Sequence, residues 1–346
     1  MKEHLLEVRD LRVSFDTYAG EVQAVRGVNF YLDSGETLAI VGESGCGKSV
    51  SVQTMMRLLP MPPARLKSGE IIYEGKDIAP LTDKEMENYR GKEFAMIFQD
   101  SMTSLNPTMR VGNQMCEGIV RHRKVSKEEA RKIAVDMLGQ VGIPNPEAAF
   151  RRYPHTMSGG QRQRVMIAMA LSCNPKILIA DEPTTALDVT MQAQILDIMN
   201  RLKDIHHTAI ILITHDLGVV AQMADRIAVM YAGEIMESGD ARQVFYQPSH
   251  PYTWGLLGAM PNLIQDVKSQ LYTIPGTPPD LYAPPVGCPF AARCEYAMEA
   301  CLKEEPPEFA VEGGHTSRCW LLDPRAPQVT PPEGIPALKK GGNDHE

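Results

Sequence analysis

Gly42-Glu43-Ser44-Gly45-Cys46-Gly47-Lys48-Ser49 decides the fold. It fits the pattern G-x4-G-K-[ST] and stands between an apolar run, TLAIV (37–41), and a helical pattern, VSVQTMMRLL (50–59). A strand, a glycine-rich loop and a helix in that order are what phosphate binding requires. The glycines let successive backbone N–H groups turn inward, and the helix start adds the positive end of its dipole. Lys48 has the reach for β- and γ-phosphates, and the Ser49 hydroxyl suits Mg2+.

Outward from this loop, short β-rich runs alternate with helical patterns from Leu5 to about residue 240, the mark of an α/β domain with a largely buried parallel sheet. KILIA (176–180) and AIILIT (209–214) read as further core strands. After Gly239 prolines crowd the stretch from Pro248 to Pro289 and exclude a long helix there. The expected division is a nucleotide-binding domain at 1–240, a small Cys-containing domain at 241–323 and a flexible tail at 324–346.

The chain has 346 residues, 43% hydrophobic and 23% charged, ordinary values for a globular protein. Its apolar runs fall well short of the roughly 18 residues needed to cross a bilayer. The start, MKEHLLEVRD, lacks the apolar stretch and small-residue cleavage site of a secretory signal, so a cytoplasmic location is expected. A net charge of −8 argues against a surface that coats nucleic acid. In a reducing compartment the seven cysteines point to metal ligands or buried thiols rather than disulfides.

The run KILIA ends in Asp181 and Glu182. Carboxylates at the end of a buried strand are costly unless they have a task. After a phosphate loop, Asp181 is suited to holding Mg2+ and Glu182 to orienting the attacking water. Between loop and carboxylates lies Met157-Ser158-Gly159-Gly160-Gln161-Arg162-Gln163-Arg164, which opens the helical run VMIAMALS and resembles the ABC signature motif with its leucine replaced by Met157. Two glycines at a helix start make a second anion site. A serine N-cap followed by a glycine turn would look the same in isolation.

Other ABC elements follow in the family's order. Gln99, after the strand-like FAMIF, matches the Q-loop, with a place near Mg2+. Ala186-Leu187-Asp188 matches the D-loop, and His215 the switch histidine that contacts the γ-phosphate. Phe15 is the candidate for stacking on adenine, with Tyr18 as the alternative. FQDSMTSLNP (98–107), RYPHTMSGGQRQR (152–164), DEPTTALDVTMQAQIL (181–196) and HPYTWGLLGAMP (250–261) resemble the ATP-binding subunits of peptide and nickel importers. Ser101 stands where proline is common in that family, and Val50 replaces a hydroxyl residue that could contact the α-phosphate.

The resemblance implies a P-loop NTPase fold with a RecA-like parallel sheet, an antiparallel β subdomain and a helical subdomain from about Gln99 to Ala170. It implies an ATPase that powers uptake of di- or oligopeptides, with ATP and Mg2+ at Gly42 to Val50, Asp181 and Glu182. Ser158, Gly159, Gly160, Gln161 and Asp188 would complete the site across a partner. The implied partners are a paralogous ATPase in a heterodimer, two transmembrane permease subunits and an extracytoplasmic peptide-binding protein, with no nucleic acid. The chain would lie on the cytoplasmic face of the cell membrane. A nickel or other small-solute importer is the alternative, and an ABC ATPase acting on ribosomes or DNA a more distant one.

Cys288, Cys294, Cys301 and Cys319 have the spacing C-x5-C-x6-C-x17-C. Four thiolates can hold Zn2+ or an iron–sulfur cluster, or remain unligated. The resemblance to longer peptide-importer ATPases favours [4Fe–4S]. The region is short of apolar periodicity, so a cross-link is expected to firm it, with Pro289, Phe290, Tyr296 and Trp320 shielding the sulfurs. Cys46, in the loop, and Cys116 and Cys173, on helical patterns, read as structural.

Overall fold

A run such as TLAIV can be buried on both faces of a sheet, which is how parallel strands are normally covered. In a computed structural model that describes residues 4–99, 104–185, 187–260, 273–332 and 335, it forms β3 (Thr37–Val41), buried at all five positions. The chain falls into two compact units. One comprises Met1–Leu5, Leu32–Thr37 and Pro80–Thr214, and the other Leu6–Tyr31, Leu38–Ala79 and His215–Glu346.

In the first unit β6 (Phe94–Ile97), β7 (Ile177–Asp181) and β8 (Ala209–Thr214) run parallel, with Phe94 opposite Ile177 and Ile177 opposite Ala209. Parallel neighbours need a crossover. The helix Val189–His206 supplies one between β7 and β8 and buries Ile195, Leu196, Ile198, Met199 and Leu202, the stripe of a helix with one face on a core. The excursion between β6 and β7 carries the helices Val111–Arg123, Lys127–Gln140, Pro146–Phe150 and Gly159–Leu171. Cys116 lies on the first of these. Cys173 departs from expectation: the helix stops at Leu171 and Asn174, at φ 53°, turns the chain, so the thiol sits in a turn.

In the second unit β3 runs parallel to β9 (Arg226–Tyr231). Ala232 and Gly233, at φ 48° and 84°, form a tight turn into the antiparallel β10 (Glu234–Asp240). The C-terminal residues then continue this sheet: β12 (Thr316–Ser317) pairs with β10, and β11 (Phe309–Ala310) with β12. A separate antiparallel sheet has the order β2 (Gly20–Leu32), β1 (Leu6–Thr17), β4 (Ala64–Tyr73), β5 (Lys76–Asp77).

The Pro-rich region packs on the sheet of this unit and also gathers a small apolar cluster of its own, with Trp254, Cys319, Leu321 and Leu322 buried. Tyr252 and Phe290 meet Tyr231 at ring separations of 4.6 and 5.3 Å, in one apolar cluster with Val41, Val229 and Met236. Buried Glu237 on β10 accepts the N–H groups of Ser249 (2.6 Å) and His250 (3.1 Å) and pairs with His315 (2.8 Å). A buried carboxylate tolerates desolvation only with partners of this kind. One side chain therefore joins the strand, the approach to the helix Pro251–Gly258 and the residue before β12. The tail predicted at 324–346 lies partly outside the described residues.

His250 Nδ1 accepts the Tyr252 N–H at 3.0 Å and caps that helix. Burial lowers the pKa of His250 from 6.5 to about 3. Below pH 6.5 the unfolded chain takes up a proton that the folded chain refuses, so stability falls as the pH drops from there toward 3, by up to about 2 kcal/mol at pH 5. His250→Asn, which keeps an acceptor for the cap, is expected to lose most of that acid dependence. Urea unfolding of both proteins at pH 7 and pH 5 measures it, and an equal acid loss in the two would remove His250 as its source.

Candidate functional site

The phosphate loop belongs to the second unit and follows β3 directly. At Gly42, φ 154°, an added Cβ would lie 2.0 Å from the Met230 carbonyl oxygen. At Gly47, φ 101°, it would lie 2.4 Å from that of Ala24. Glycine is required at both positions by backbone conformation and by backbone contact. The helix Lys48–Met55 starts immediately after, with Ser49 and Val50 in its first turn. Lys48 is 6% exposed, and its ammonium donates to the carbonyls of Gly42 (2.7 Å) and Glu43 (2.9 Å). It is thus held inside the loop, where a phosphate would compete for it.

Other predicted residues of this unit are placed as follows. Phe15, half-buried, pairs with Ala64 across β1 and β4, while Tyr18 is fully exposed in the turn after β1. His215 is exposed, directly after β8. Asp216 next to it caps the following helix by accepting from Gly218 N–H at 2.8 Å. Cys46 is buried, and burial raises its pKa, which fits a structural thiol.

Two side chains that the sequence reading missed hold Glu43. Arg293 makes a two-pronged ion pair with its carboxylate, and the Tyr252 hydroxyl accepts its N–H at 2.9 Å. Tyr252 lies in the quoted HPYTWGLLGAMP, but nothing in that string announces a contact with the loop.

The first unit gathers the other group. Asp181 ends β7 at 3% exposure, and Glu182 follows with φ 48°, a left-handed conformation uncommon outside glycine. Such strain persists only where surroundings enforce it. Here the Glu182 N–H bonds to the Ile213 carbonyl of β8 at 2.9 Å. Gln99 Nε2 and the Thr185 hydroxyl both donate to Glu182 Oε2, at 3.0 and 2.9 Å. Thr185 is a missed member of the site, and the signal was a hydroxyl three residues after Glu182 in DEPTT.

Ser158 is the N-cap of the helix Gly159–Leu171, in a reciprocal capping box with Gln161 at 3.3 Å each way. The capping reading is what this geometry shows. An added Cβ at Gly160 would strike Met191 at 2.2 Å, whereas at Gly159 none of the described atoms comes within 4 Å. Packing therefore explains the second glycine and leaves the first free for close approach from outside. Asp188 caps Val189–His206 by accepting the Met191 N–H at 2.9 Å. Ala186, Ser101 and Pro261 lie outside the described residues.

Cys288, Cys301 and Cys319 are buried and Cys294 is half-buried. Burial first, and then the charge of neighbouring thiolates, pushes Cys288 up to about 12 and Cys294 up to about 11. Cys319 rises well above 9.0, burial again leading, with Cys288, Cys294 and Cys301 all contributing. Phe290 packs with Cys288, Cys301 and Cys294, and Trp320 borders the same cluster, while Tyr296 packs beside Cys319. Among the described residues, however, no group of three His, Cys, Asp or Glu is arranged to hold a metal ion.

Over residues 25–185 the chain matches the family described as ABC transporter, and over 236–301 that described as oligopeptide/dipeptide transporter, C-terminal region. It is 61% identical to the oligopeptide transport ATP-binding protein OppD of Bacillus subtilis, across 99% of this chain and 96% of that protein. It is 56% identical to the dipeptide transport ATP-binding protein DppD of the same organism, across 94% and 96%. Among solved structures, a dimeric ATP-binding cassette, MJ0796, in a post-hydrolysis state with ADP and Pi matches at TM-score 0.62 and 26% identity, covering 68% of this chain and 99% of that one.

Gly42→Ala is expected to cost roughly 1–3 kcal/mol, since the methyl group would meet a carbonyl that belongs to β9. It should also weaken binding of MgATP by at least about tenfold, because the loop must shift. Thermal unfolding and titration with a fluorescent ATP analogue check both. Wild-type values would mean that the loop tolerates the side chain.

Proposed function

The chain belongs to the oligopeptide/dipeptide transport ATP-binding proteins of the ABC transporter family, and from that premise we propose that its ATP hydrolysis drives uptake of di- or oligopeptides through a membrane permease. It is an ABC-type ATPase, a kind of protein that works with membrane permease subunits and a substrate-binding protein. Among the described residues no helix is long and apolar enough to cross a membrane, which fits a subunit seated on the cytoplasmic face beside those partners. The observation that carries the hydrolytic reading is Glu182, held in a left-handed conformation with Gln99 and Thr185 both donating to one of its oxygens.

In this reading the N–H groups of Ser44 to Val50 receive the phosphates, and Lys48 exchanges the Gly42 and Glu43 carbonyls for phosphate oxygens. The Ser49 hydroxyl and the buried carboxylate of Asp181 suit Mg2+, which when bound neutralises charge on the β- and γ-phosphates. Gln99 spends its amide N–H on Glu182 and keeps its carbonyl oxygen for the cation. Glu182 accepts a proton from the attacking water, and two donated hydrogen bonds fix its direction. His215 meets the γ-phosphate and Phe15 stacks on adenine.

One phosphate loop and one signature stand in this sequence, so a complete site needs two chains head to tail. Ser158, Gly159, Gly160 and Gln161 then face the nucleotide of a paralogous ATPase, with Asp188 at the junction. The open space at Gly159 supports this. Cys288, Cys294, Cys301 and Cys319 hold a [4Fe–4S] cluster as a cross-link of the Pro-rich region. The support is their donor set and their shared place in one buried region.

In the assembled transporter Glu182→Gln is expected to bind ATP and to hydrolyse it about 100-fold or more slowly. A rate within about twofold of wild type would exclude Glu182 as the group that activates water. The chain alone, shown monomeric by light scattering under turnover, should be a poor ATPase beside the complex. Anaerobically purified protein should be brown with about four irons and four sulfides per chain, and Cys294→Ser should lose both colour and protease resistance of the C-terminal region. Colourless protein with neither iron nor sulfide would leave the cysteines without a ligand role.

A further inference from the structure

Glu43 occupies the first variable position of the phosphate loop and is fastened through three different groups. Its carboxylate lies against Arg293, with Nη1 to Oε2 at 2.7 Å and Nη2 to Oε1 at 3.0 Å. Its N–H donates to the Tyr252 hydroxyl at 2.9 Å, and its carbonyl accepts from Lys48 Nζ at 2.9 Å. Arg293 and Tyr252 lie 250 and 209 positions further along the chain, beyond every motif of the ATPase. Arg293 stands in the short turn between Cys288 and Cys294.

The guanidinium is itself held before it meets Glu43. Nε donates to the Pro275 carbonyl at 2.8 Å and Nη1 to the Tyr231 hydroxyl at 3.2 Å. It also lies 5.7 Å from the ring centre of Tyr231 and 6.0 Å from that of Phe290. The arginine side chain is 6% exposed and that of Glu43 26%, so water screens the pair little on the arginine side. A planar fork fixed in advance loses little freedom when it binds a carboxylate on both prongs.

We infer that Arg293 is a positioning residue for nucleotide binding, which acts through Glu43 to keep the phosphate loop in its binding shape. The inference rests on the nucleotide site proposed above. A phosphate must draw Lys48 off the carbonyls of Gly42 and Glu43, and those carbonyls then lose one of the bonds that hold the loop. The clamp on the Glu43 carboxylate and N–H does not involve Lys48 and survives the exchange. Without it, ordering of the loop becomes a cost of binding. Affinity falls, while the hydrolytic group at Glu182 is untouched.

The test measures MgATP affinity of the full chain with a fluorescent analogue, and KM and kcat in the assembled transporter, for wild type, Glu43→Gln, Arg293→Gln, Arg293→Lys and the double Gln variant. Glu43→Gln and Arg293→Gln should each weaken binding by about five- to twentyfold, as expected on loss of a charge-assisted bidentate contact. The double variant should be no weaker than the worse single one, because both remove the same contact. Arg293→Lys should fall between, since an ammonium cannot reproduce the fork. In the transporter Arg293→Gln should raise KM for ATP and move kcat by less than about twofold. Glu43→Gln leaves Arg293 on Pro275 and Tyr231, so it decides the matter even if Arg293→Gln unfolds the C-terminal region. Wild-type affinity in both single variants, or additive losses in the double one, overturns the inference alone. A wild-type chain that binds no MgATP overturns the nucleotide site and this inference with it.

Discussion

Backbone packed against backbone at the phosphate loop is the constraint on which the second unit depends. The carbonyls of Met230 and Ala24 stand where side chains of residues 42 and 47 would be, so the loop can pass only as glycine. Met230 is on β9, which pairs in parallel with β3, the strand that delivers the loop. The register of two buried strands and the curvature of a ligand loop are therefore one requirement. Buried apolar strands supply the stability that holds a loop of polar backbone in place.

The C-terminal region is tied to this arrangement by polar groups that burial makes obligatory. Glu237 would be costly inside the protein without the Ser249 and His250 N–H groups and His315, and these draw the Pro-rich segment and β12 onto β10. Tyr252 and Phe290 fill the space beside Tyr231. The region is short of helical or strand periodicity because its helices are short and the two strands it adds to the sheet have two residues each. Two of its side chains, Tyr252 and Arg293, end on Glu43.

In the first unit the sequence assigns roles to Gln99, Asp181 and Glu182, and the fold adds how one of them is aimed. β8 accepts no choice of backbone angle at Glu182, because the Ile213 carbonyl takes its N–H. The carboxylate then meets Gln99 and Thr185 at hydrogen-bond distance. Ser158 and Asp188 are the N-caps of the helices that follow them. Each cap ties a side chain to a backbone N–H of the first helical turn.

Local chemistry was legible in the chain itself. A glycine loop before a helix, apolar runs long enough for strands and carboxylates at a strand end carry their meaning within a few residues, because phosphate loops and buried parallel strands impose rules at that range. Thus TLAIV, KILIA and AIILIT became β3, β7 and β8 to within a residue. Cys173 was misplaced because a helix end depends on one left-handed residue, Asn174, which periodicity does not register. Four cysteines could be counted, but whether their thiols converge on a single ion or spread more widely depends on how the turns around them pack. The clamp on Glu43 lay beyond sequence altogether. Arg293 and Tyr252 become its partners only once β9, β10 and the C-terminal turns fold over the loop, and contacts across 250 and 209 positions leave no local pattern to read.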